Sequence, residues 1–129
     1  SFSILCFSMA GLSLGFLRLN QYPAKIFMGD TGSLCIGAII GVICIFTNSF
    51  FTVFIMSGIF IIETFSVIIQ VLFFKITKKI TGKGKRLFLM SPIHHHFELK
   101  GIPEKKIVDY FWKTNIFLVI LGIVLKISV

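Results

Sequence analysis

The chain alternates between long apolar stretches and shorter polar segments. Four of the apolar stretches are long enough, or nearly so, to cross a bilayer as helices, which takes about 20 residues each. The pattern therefore predicts an all-α, polytopic membrane protein in which residues 1–129 belong to one domain with about four transmembrane helices. The predicted spans lie near residues 2–19, 33–48, 50–74 and 111–129.

Two polar segments, residues 20–33 and 75–111, separate these stretches. The first reads N-Q-Y-P-A-K-I-F-M-G-D-T-G-S, and the second carries a basic run followed by H-H-H. A short turn at 47–49 joins the second and third predicted spans, so the two polar segments should lie on the same side of the bilayer. Ten of the thirteen Lys and Arg residues fall between Lys75 and Lys113, and such positive loops favour the cytoplasmic side. The pattern predicts two cytoplasmic active-site loops.

The composition agrees with a lipid environment. Hydrophobic residues make up 56% of the chain and the formal net charge is +8, whereas soluble domains are usually about 45–50% apolar. A basic chain suits either nucleic acid or a membrane surface; the apolar spans favour a lipid bilayer as partner and no nucleic acid. The chain begins with Ser1 inside an apolar run, without the basic leader of a signal peptide. We therefore expect it to be the C-terminal part of a longer membrane protein.

The first polar segment ends in a Gly-Asp-Thr-Gly-Ser run that leads directly into an apolar helix. The free N–H groups at such a helix start can hold an anion. Asp30 could instead hold a metal ion that bridges to a phosphate. A third interpretation is ordinary helix capping, for which Asp, Thr and Ser are common residues. Spacing alone leaves these alternatives open.

A polar stripe runs along the third predicted span. Glu63, Ser66 and Gln70 are spaced i, i+3 and i+7, so they share one helix face. An ionisable residue inside a span is costly and is a functional candidate by default. The stripe should face a bundle interior or a water-filled site, and hydrogen bonding between helices would explain it equally well.

Three consecutive histidines, His94, His95 and His96, follow Ser91-Pro92 in the second polar segment. Zinc sites usually need three or four ligands at suitable spacing, and neither a cysteine nor a second histidine cluster lies near these residues in the sequence. Contact with phosphate oxygens, or proton transfer, is the better interpretation, because imidazole changes charge near neutral pH. Together with Asp30 and the basic run, the histidines indicate chemistry on a phosphorylated substrate at the membrane surface.

The two polar segments and the polar stripe together closely resemble the C-terminal half of the phospho-N-acetylmuramoyl-pentapeptide transferase (MraY) family. This family belongs to the polyprenyl-phosphate sugar-phosphate transferases, and the resemblance covers essentially the whole chain. The triple histidine downstream of F-M-G-D-T-G-S is its most specific feature. The matching residues are Asn20, Pro23-Ala24, Phe27–Leu34, Glu63, Ser66-Val67, Gln70-Val71, Lys75, Thr77, Thr81–Lys83, Met90–Glu98 and Phe111-Trp112.

The resemblance implies a Mg²⁺-dependent transferase of peptidoglycan synthesis. Such an enzyme moves phospho-MurNAc-pentapeptide from UDP-MurNAc-pentapeptide to undecaprenyl phosphate, giving lipid I and UMP. It would be a multi-pass protein of the bacterial inner membrane with its active site on the cytoplasmic face, and a homodimer is one assembly that the sequence leaves open.

The resemblance also implies roles for individual residues. Asp30 matches the aspartate associated with Mg²⁺, and Phe27 matches an aromatic that stacks on uracil. Asn20 and Gln70 match residues that line the nucleoside pocket. The three histidines match a loop that closes over the substrate, so the candidate catalytic residues are Asp30, His94, His95 and His96.

The chain departs from the family pattern in ways that shape the prediction. The family usually has an aromatic near Arg18 and an arginine near Tyr110, which puts local packing and headgroup contact in doubt. Its paired aspartates have no counterpart here, since the only aspartates are Asp30 and Asp109, and we expect this chain alone to be inactive. The alternatives are a related UDP-GlcNAc:polyprenyl-phosphate GlcNAc-1-phosphate transferase, a non-enzymatic membrane transport module and a degenerate, inactive copy of the enzyme.

Overall fold

The apolar stretches form helices, which satisfy every backbone polar group within a single segment. A computed structural model describes residues 2–128; Ser1, on which the expectation of a longer protein rests, and Val129, the predicted end of the last span, lie outside the described residues. The described chain contains no strand, so the all-α prediction is confirmed. Its helices are α1 (Phe2–Asn20), α2 (Asp30–Phe46), α3 (Phe50–Met56), α4 (Gly58–Thr81), α5 (Ile93–Leu99) and α6 (Glu104–Ser128).

Three of these helices, α1, α4 and α6, are long and apolar enough to cross a membrane. Helix α2 is also apolar but has only 17 residues. The helices thus fit a polytopic membrane protein, and the sidedness of the polar segments remains a prediction.

The predicted span at 50–74 is two helices rather than one. Helix α3 ends at Met56, and α4 begins at Gly58 and continues to Thr81. The break falls at Ser57-Gly58, and Gly/Ser pairs are a common cause of helix kinks. The missing side chain of Gly58 also admits Leu118 of α6, whose Cδ1 would lie 2.8 Å from a Cβ at this position.

The chain divides into two compact units, one up to Phe50 and one from Phe51 onward. In the first unit α1 and α2 are joined by residues 21–29, and the ring of Phe2 lies 5.2 Å from that of Phe46. The start of α1 therefore meets the end of α2, as in a helical hairpin.

In the second unit α4, α5 and α6 all contact one another. Ile107 and Gly122 of α6 are buried, and a Cβ at Gly122 would lie 2.9 Å from Cγ of Met56. Small residues of this kind let membrane helices approach closely. Most large apolar side chains of the described chain remain exposed, which is expected of surfaces that face lipid or other helices.

The segment predicted as a loop at 75–111 is largely helical, so that boundary was wrong. Helix α4 extends to Thr81 and stops at Gly82, which has a left-handed φ of 73° and donates its N–H to the carbonyl of Lys78 at 3.1 Å. Glycine adopts this conformation without the steric cost of a Cβ, so it ends helices readily. The non-helical parts are 82–92 and 100–103.

Candidate functional site

The loop between α1 and α2 is folded by its own hydrogen bonds. Asn20, half-buried at the end of α1, donates its side-chain N–H to the carbonyl of Ile26 at 2.9 Å. The backbone N–H of Lys25 donates to the carbonyl of Leu19, also at 2.9 Å. The predicted nucleoside-pocket residue Asn20 therefore also shapes the loop that carries Phe27 and Asp30.

Phe27 and Asp30 are both exposed beside the start of α2. The Phe27 side chain is 82% exposed, which is unusual for a large apolar group and leaves both ring faces open. Asp30 is the first residue of α2; the N-cap is Gly29, without a side-chain capping hydrogen bond. Asp30 thus does not cap the helix, and its carboxylate forms no hydrogen bond or ion pair with another described residue.

A magnesium ion would bind at this loop only if groups other than Asp30 completed its coordination shell. Among the described residues no group of three or more His, Cys, Asp or Glu side chains could hold a metal ion. Mg²⁺ commonly takes one or two protein carboxylates and completes its shell with substrate phosphates and water. The free carboxylate of Asp30 can supply one such ligand.

The polar stripe of α4 lies on one buried helix face, as its spacing predicts. Ser66 is 2% exposed and Gln70 is 8% exposed, and the Glu63 side chain is 17% exposed. The prediction that the stripe faces inward is confirmed. Its hydrogen bonds run to its own helix, to the loop after α4 and to α5, rather than to another long helix.

Gln70 holds the loop after α4. Its Nε2–H donates to the carbonyl of Phe88 at 3.0 Å, and its Oε1 accepts from the N–H groups of Leu87 and Phe88 at 3.0 and 2.9 Å. The predicted nucleoside-pocket residue Gln70 is therefore first of all an anchor for the backbone that leads to the histidines.

The three histidines lie on a short helix, α5, rather than in the loop that we predicted from the sequence. The helix begins after Pro92, whose backbone is extended, and the turn after it contains Gly101 with a φ of 85°. Successive helix residues point about 100° apart. The histidines therefore face different surroundings.

Each histidine has its own partner. His94 Nδ1 lies 3.0 Å from Oε2 of Glu63 on α4. His95 Nδ1 lies 2.7 Å from Oε2 of Glu98 on the same short helix. His96 Nδ1 accepts the backbone N–H of Leu89 at 3.1 Å, so this ring secures the loop that Gln70 also holds.

A basic groove adjoins the Gln70 anchor. It has a volume of about 590 Å³ and is lined by Lys75, Lys78 and Arg86 together with Gln70, Phe74 and Ser91, among others. No acidic side chain lines it within the described chain, so the groove should attract an anion. From the sequence these cations were predicted only as members of a basic run, apart from Lys75, which also matches the family pattern.

The role of Thr77 was not predicted from the sequence either. Its hydroxyl accepts the backbone N–H of Lys85 at 2.8 Å and donates to the carbonyl of Phe73 at 2.8 Å, so it folds the basic loop back on α4. Gly84 lies against the ring of Phe74, so the absence of a side chain there serves close packing. Thr77 lies seven residues after Gln70 and so on the same helix face. This spacing could have identified it as a second anchor of the loop.

The predicted site residues are divided between the two units. Asn20, Phe27 and Asp30 belong to the first, whereas Gln70 and the three histidines belong to the second. That the two groups meet on one face of the membrane remains a prediction.

Comparison with known proteins finds similarity to one family model and to several proteins that share one name. The model of glycosyl transferase family 4 matches residues 1–48. The chain is 73% identical over 127 residues to a phospho-N-acetylmuramoyl-pentapeptide-transferase of Prochlorococcus marinus (strain MIT 9301), covering 98% of this chain and 36% of that protein. It is 53% identical to the protein of the same name from Synechococcus sp. (strain CC9311), covering 94% of the chain and 33% of the relative. The chain thus spans about a third of the length of the curated relatives that it matches.

Proposed function

We propose that the chain, whose residues 1–48 match the model of glycosyl transferase family 4, forms part of a phospho-N-acetylmuramoyl-pentapeptide transferase. The reaction would move phospho-MurNAc-pentapeptide from its UDP carrier to undecaprenyl phosphate, producing lipid I and UMP. The observation that carries this proposal is the 73% identity over 98% of the chain to a relative of that name. The apolar helices support a multi-pass membrane protein, and we propose the bacterial inner membrane with the site on the cytoplasmic face.

The first unit would bind the nucleotide end of the donor. The open ring of Phe27 can stack on uracil, because aromatic side chains bind any nucleobase through its π-face. Asp30 would hold Mg²⁺, which when bound neutralises the negative charge of a diphosphate. Asn20 supports both residues through its bond to the Ile26 carbonyl.

The second unit would contact the phosphates and the acceptor. The His94 side chain is 36% exposed, so its ring can reach a ligand while Nδ1 stays with Glu63. The groove lined by Lys75, Lys78 and Arg86 adds positive charge that would attract phosphorylated substrates. Gln70 and His96 would keep this surface in place by fixing the backbone at 87–89.

Two other functions differ from the proposed one in the substrates that they require. A UDP-GlcNAc transferase would share the Asp30 loop, and the names of the matched relatives argue against it. A proton-relaying transport module is favoured by one observation, the pairing of His94 with the carboxylate of Glu63 on the apolar helix α4. That module would need neither a UDP-sugar nor Mg²⁺.

The proposal is tested by measuring which UDP-sugar donor the full-length protein uses. Purified protein in detergent would receive undecaprenyl phosphate and either UDP-MurNAc-pentapeptide or UDP-GlcNAc, and lipid-linked product would be measured. Product from the pentapeptide donor alone supports the proposal. Product from UDP-GlcNAc alone would assign the protein to the related transferases, and no product from either would favour the transport module or an inactive copy.

A further inference from the structure

Glu63 lies where a carboxylate is energetically unfavourable. It lies in α4, a helix apolar enough to cross a membrane, and a carboxylate there costs several kcal/mol unless it is well paired. Its Oε1 atom is buried and has no hydrogen-bond partner among the described residues. The fold therefore recovers only part of this cost, which points to a role other than stability.

The partner of Glu63 is one of the histidines already placed at the candidate site. Its Oε2 lies 3.0 Å from Nδ1 of His94, and both residues belong to the second unit. An ionised carboxylate only accepts hydrogen bonds, so this contact requires a proton on Nδ1 of His94 when Glu63 is ionised. The two ring nitrogens lie on opposite edges, which turns Nε2 away from Glu63.

The contact between Nδ1 and a carboxylate of α4 is made by His94 and not by His96. His96 Nδ1 accepts the N–H of Leu89, so in the neutral ring Nδ1 is unprotonated and Nε2 carries the hydrogen. Two rings on one short helix thus have partners of opposite kind at Nδ1, a carboxylate for His94 and a backbone N–H for His96. His95 resembles His94, but its carboxylate, Glu98, is exposed and lies on α5 itself, so it does not tie the ring to α4.

We propose that Glu63 is a positioning residue that acts through His94. Its carboxylate fixes the ring, keeps the proton on Nδ1 and balances the positive charge that the ring carries when Nε2–H donates to a phosphate oxygen of the substrate. This inference rests on the proposed function, since it names a part of the same phosphate-binding surface. Partners of this kind orient functional histidines elsewhere, and their loss typically costs 10- to 100-fold.

Kinetics of the full-length enzyme test the role. Glu63→Leu should lower kcat about 10- to 100-fold with KM for the UDP donor little changed, whereas Glu63→Gln, which keeps a neutral acceptor, should lose less. Adding Glu63→Leu to His94→Ala should cause no further loss, because residues that act as a unit are not additive. Glu104→Gln, a carboxylate in the first turn of α6, is the matched control and should keep wild-type activity.

A structural role would give a different result. In that case Glu63→Leu would lower the thermal midpoint, and its effect on kcat would add to that of His94→Ala. The positioning role predicts a midpoint that changes little, because the His94 side chain is 36% exposed and water can replace the lost carboxylate. Additive losses with a lowered midpoint would overturn the inference.

A spectroscopic readout keeps this test independent of the proposed reaction. In ¹⁵N-histidine NMR of the full-length protein, with the His94 signal assigned by its loss in His94→Asn, Nδ1 of His94 should be protonated in the wild type. It should become unprotonated in a substantial fraction of Glu63→Leu. An unprotonated Nδ1 in the wild type, or no change in Glu63→Leu, would overturn the inference even if the enzyme transfers the pentapeptide. If the wild-type enzyme shows no transfer, the proposed function fails and the NMR result still decides whether Glu63 positions His94.

Discussion

Gln70 and Phe88, 18 residues apart in the chain, are joined by two hydrogen bonds between one side chain and one backbone. Nε2 of Gln70 donates to the Phe88 carbonyl at 3.0 Å, and Oε1 accepts from the Phe88 N–H at 2.9 Å. The side chain is 8% exposed, so water competes little for these groups. The amide thus ties the end of the basic loop to α4 just before the histidine helix begins.

Replacing this amide by a carboxylate tests the anchor. Gln70→Glu removes the donor and sets a carboxylate oxygen against the Phe88 carbonyl, and an unsatisfied buried group costs about 1–3 kcal/mol. We expect a lower thermal midpoint and faster proteolysis within residues 82–92 of the full-length protein. Gln21→Glu, an exposed position in the first loop, makes the same chemical change and should have no effect. Equal behaviour of the two variants would contradict the anchor.

The end of α4 depends on the left-handed backbone at Gly82. With φ at 73°, Gly82→Ala should destabilise the protein by roughly 1–2 kcal/mol, whereas Gly82→Asn should cost less because Asn tolerates this conformation. Gly11→Ala, inside α1 with open space around the added Cβ among the described residues, is the control and should be neutral or stabilising. Thermal unfolding would measure all three. A fully stable Gly82→Ala would mean that α4 ends by other means.

Phe27 should matter for donor binding and little for folding. Because its side chain is 82% exposed, Phe27→Ala removes few packing contacts. Loss of a base–aromatic stack costs about 1–3 kcal/mol, so KM for the UDP donor should rise roughly 5- to 150-fold. Phe27→Tyr keeps the stacking face and should stay close to wild type. A loss of thermal stability in Phe27→Ala without a change in KM would assign the ring to packing.

The isolated 129-residue chain should not catalyse transfer. It spans about a third of its curated relatives, and the resemblance assigns an essential pair of aspartates to the part of the family that this chain does not include. The measurement is UMP release by the chain in detergent beside the full-length protein. Release by the chain alone, at a rate comparable with the full-length protein, would show that Asp30 and the histidines suffice.

Some of this arrangement could be predicted from the sequence because it depends on periodicity. Glu63, Ser66 and Gln70 repeat at helical spacing, so their common face follows from 3.6 residues per turn. The long apolar stretches likewise predict helices, since lipid leaves the backbone few alternatives. Ser66 and Gln70 are indeed buried on that face.

Other parts could not be predicted because they depend on contacts between distant segments. The loop backbone at Phe88 carries no side-chain pattern that identifies Gln70 as its partner. Helix α5 has only seven residues, too few for a periodic signal, and it packs against α4 and α6, which are distant from it in the sequence. The close approach of Leu118 to Gly58 joins α6 to the start of α4, and no local pattern specifies that contact.

The central claim is that Asp30 and the histidine helix serve one Mg²⁺-dependent transfer. The most direct measurement is UMP release from UDP-MurNAc-pentapeptide by the full-length protein with undecaprenyl phosphate, with and without Mg²⁺. Wild type and Asp30→Asn would be compared, with Asp109→Asn as control because Asp109 instead bonds Lys113 at 2.6 Å. We expect the wild type to release UMP only with Mg²⁺. Release should fall on the order of 100-fold or more in Asp30→Asn, because a bound metal supplies several kcal/mol of transition-state stabilisation. Release should persist in Asp109→Asn. Release that needs no Mg²⁺, or that survives Asp30→Asn unchanged, would contradict the account.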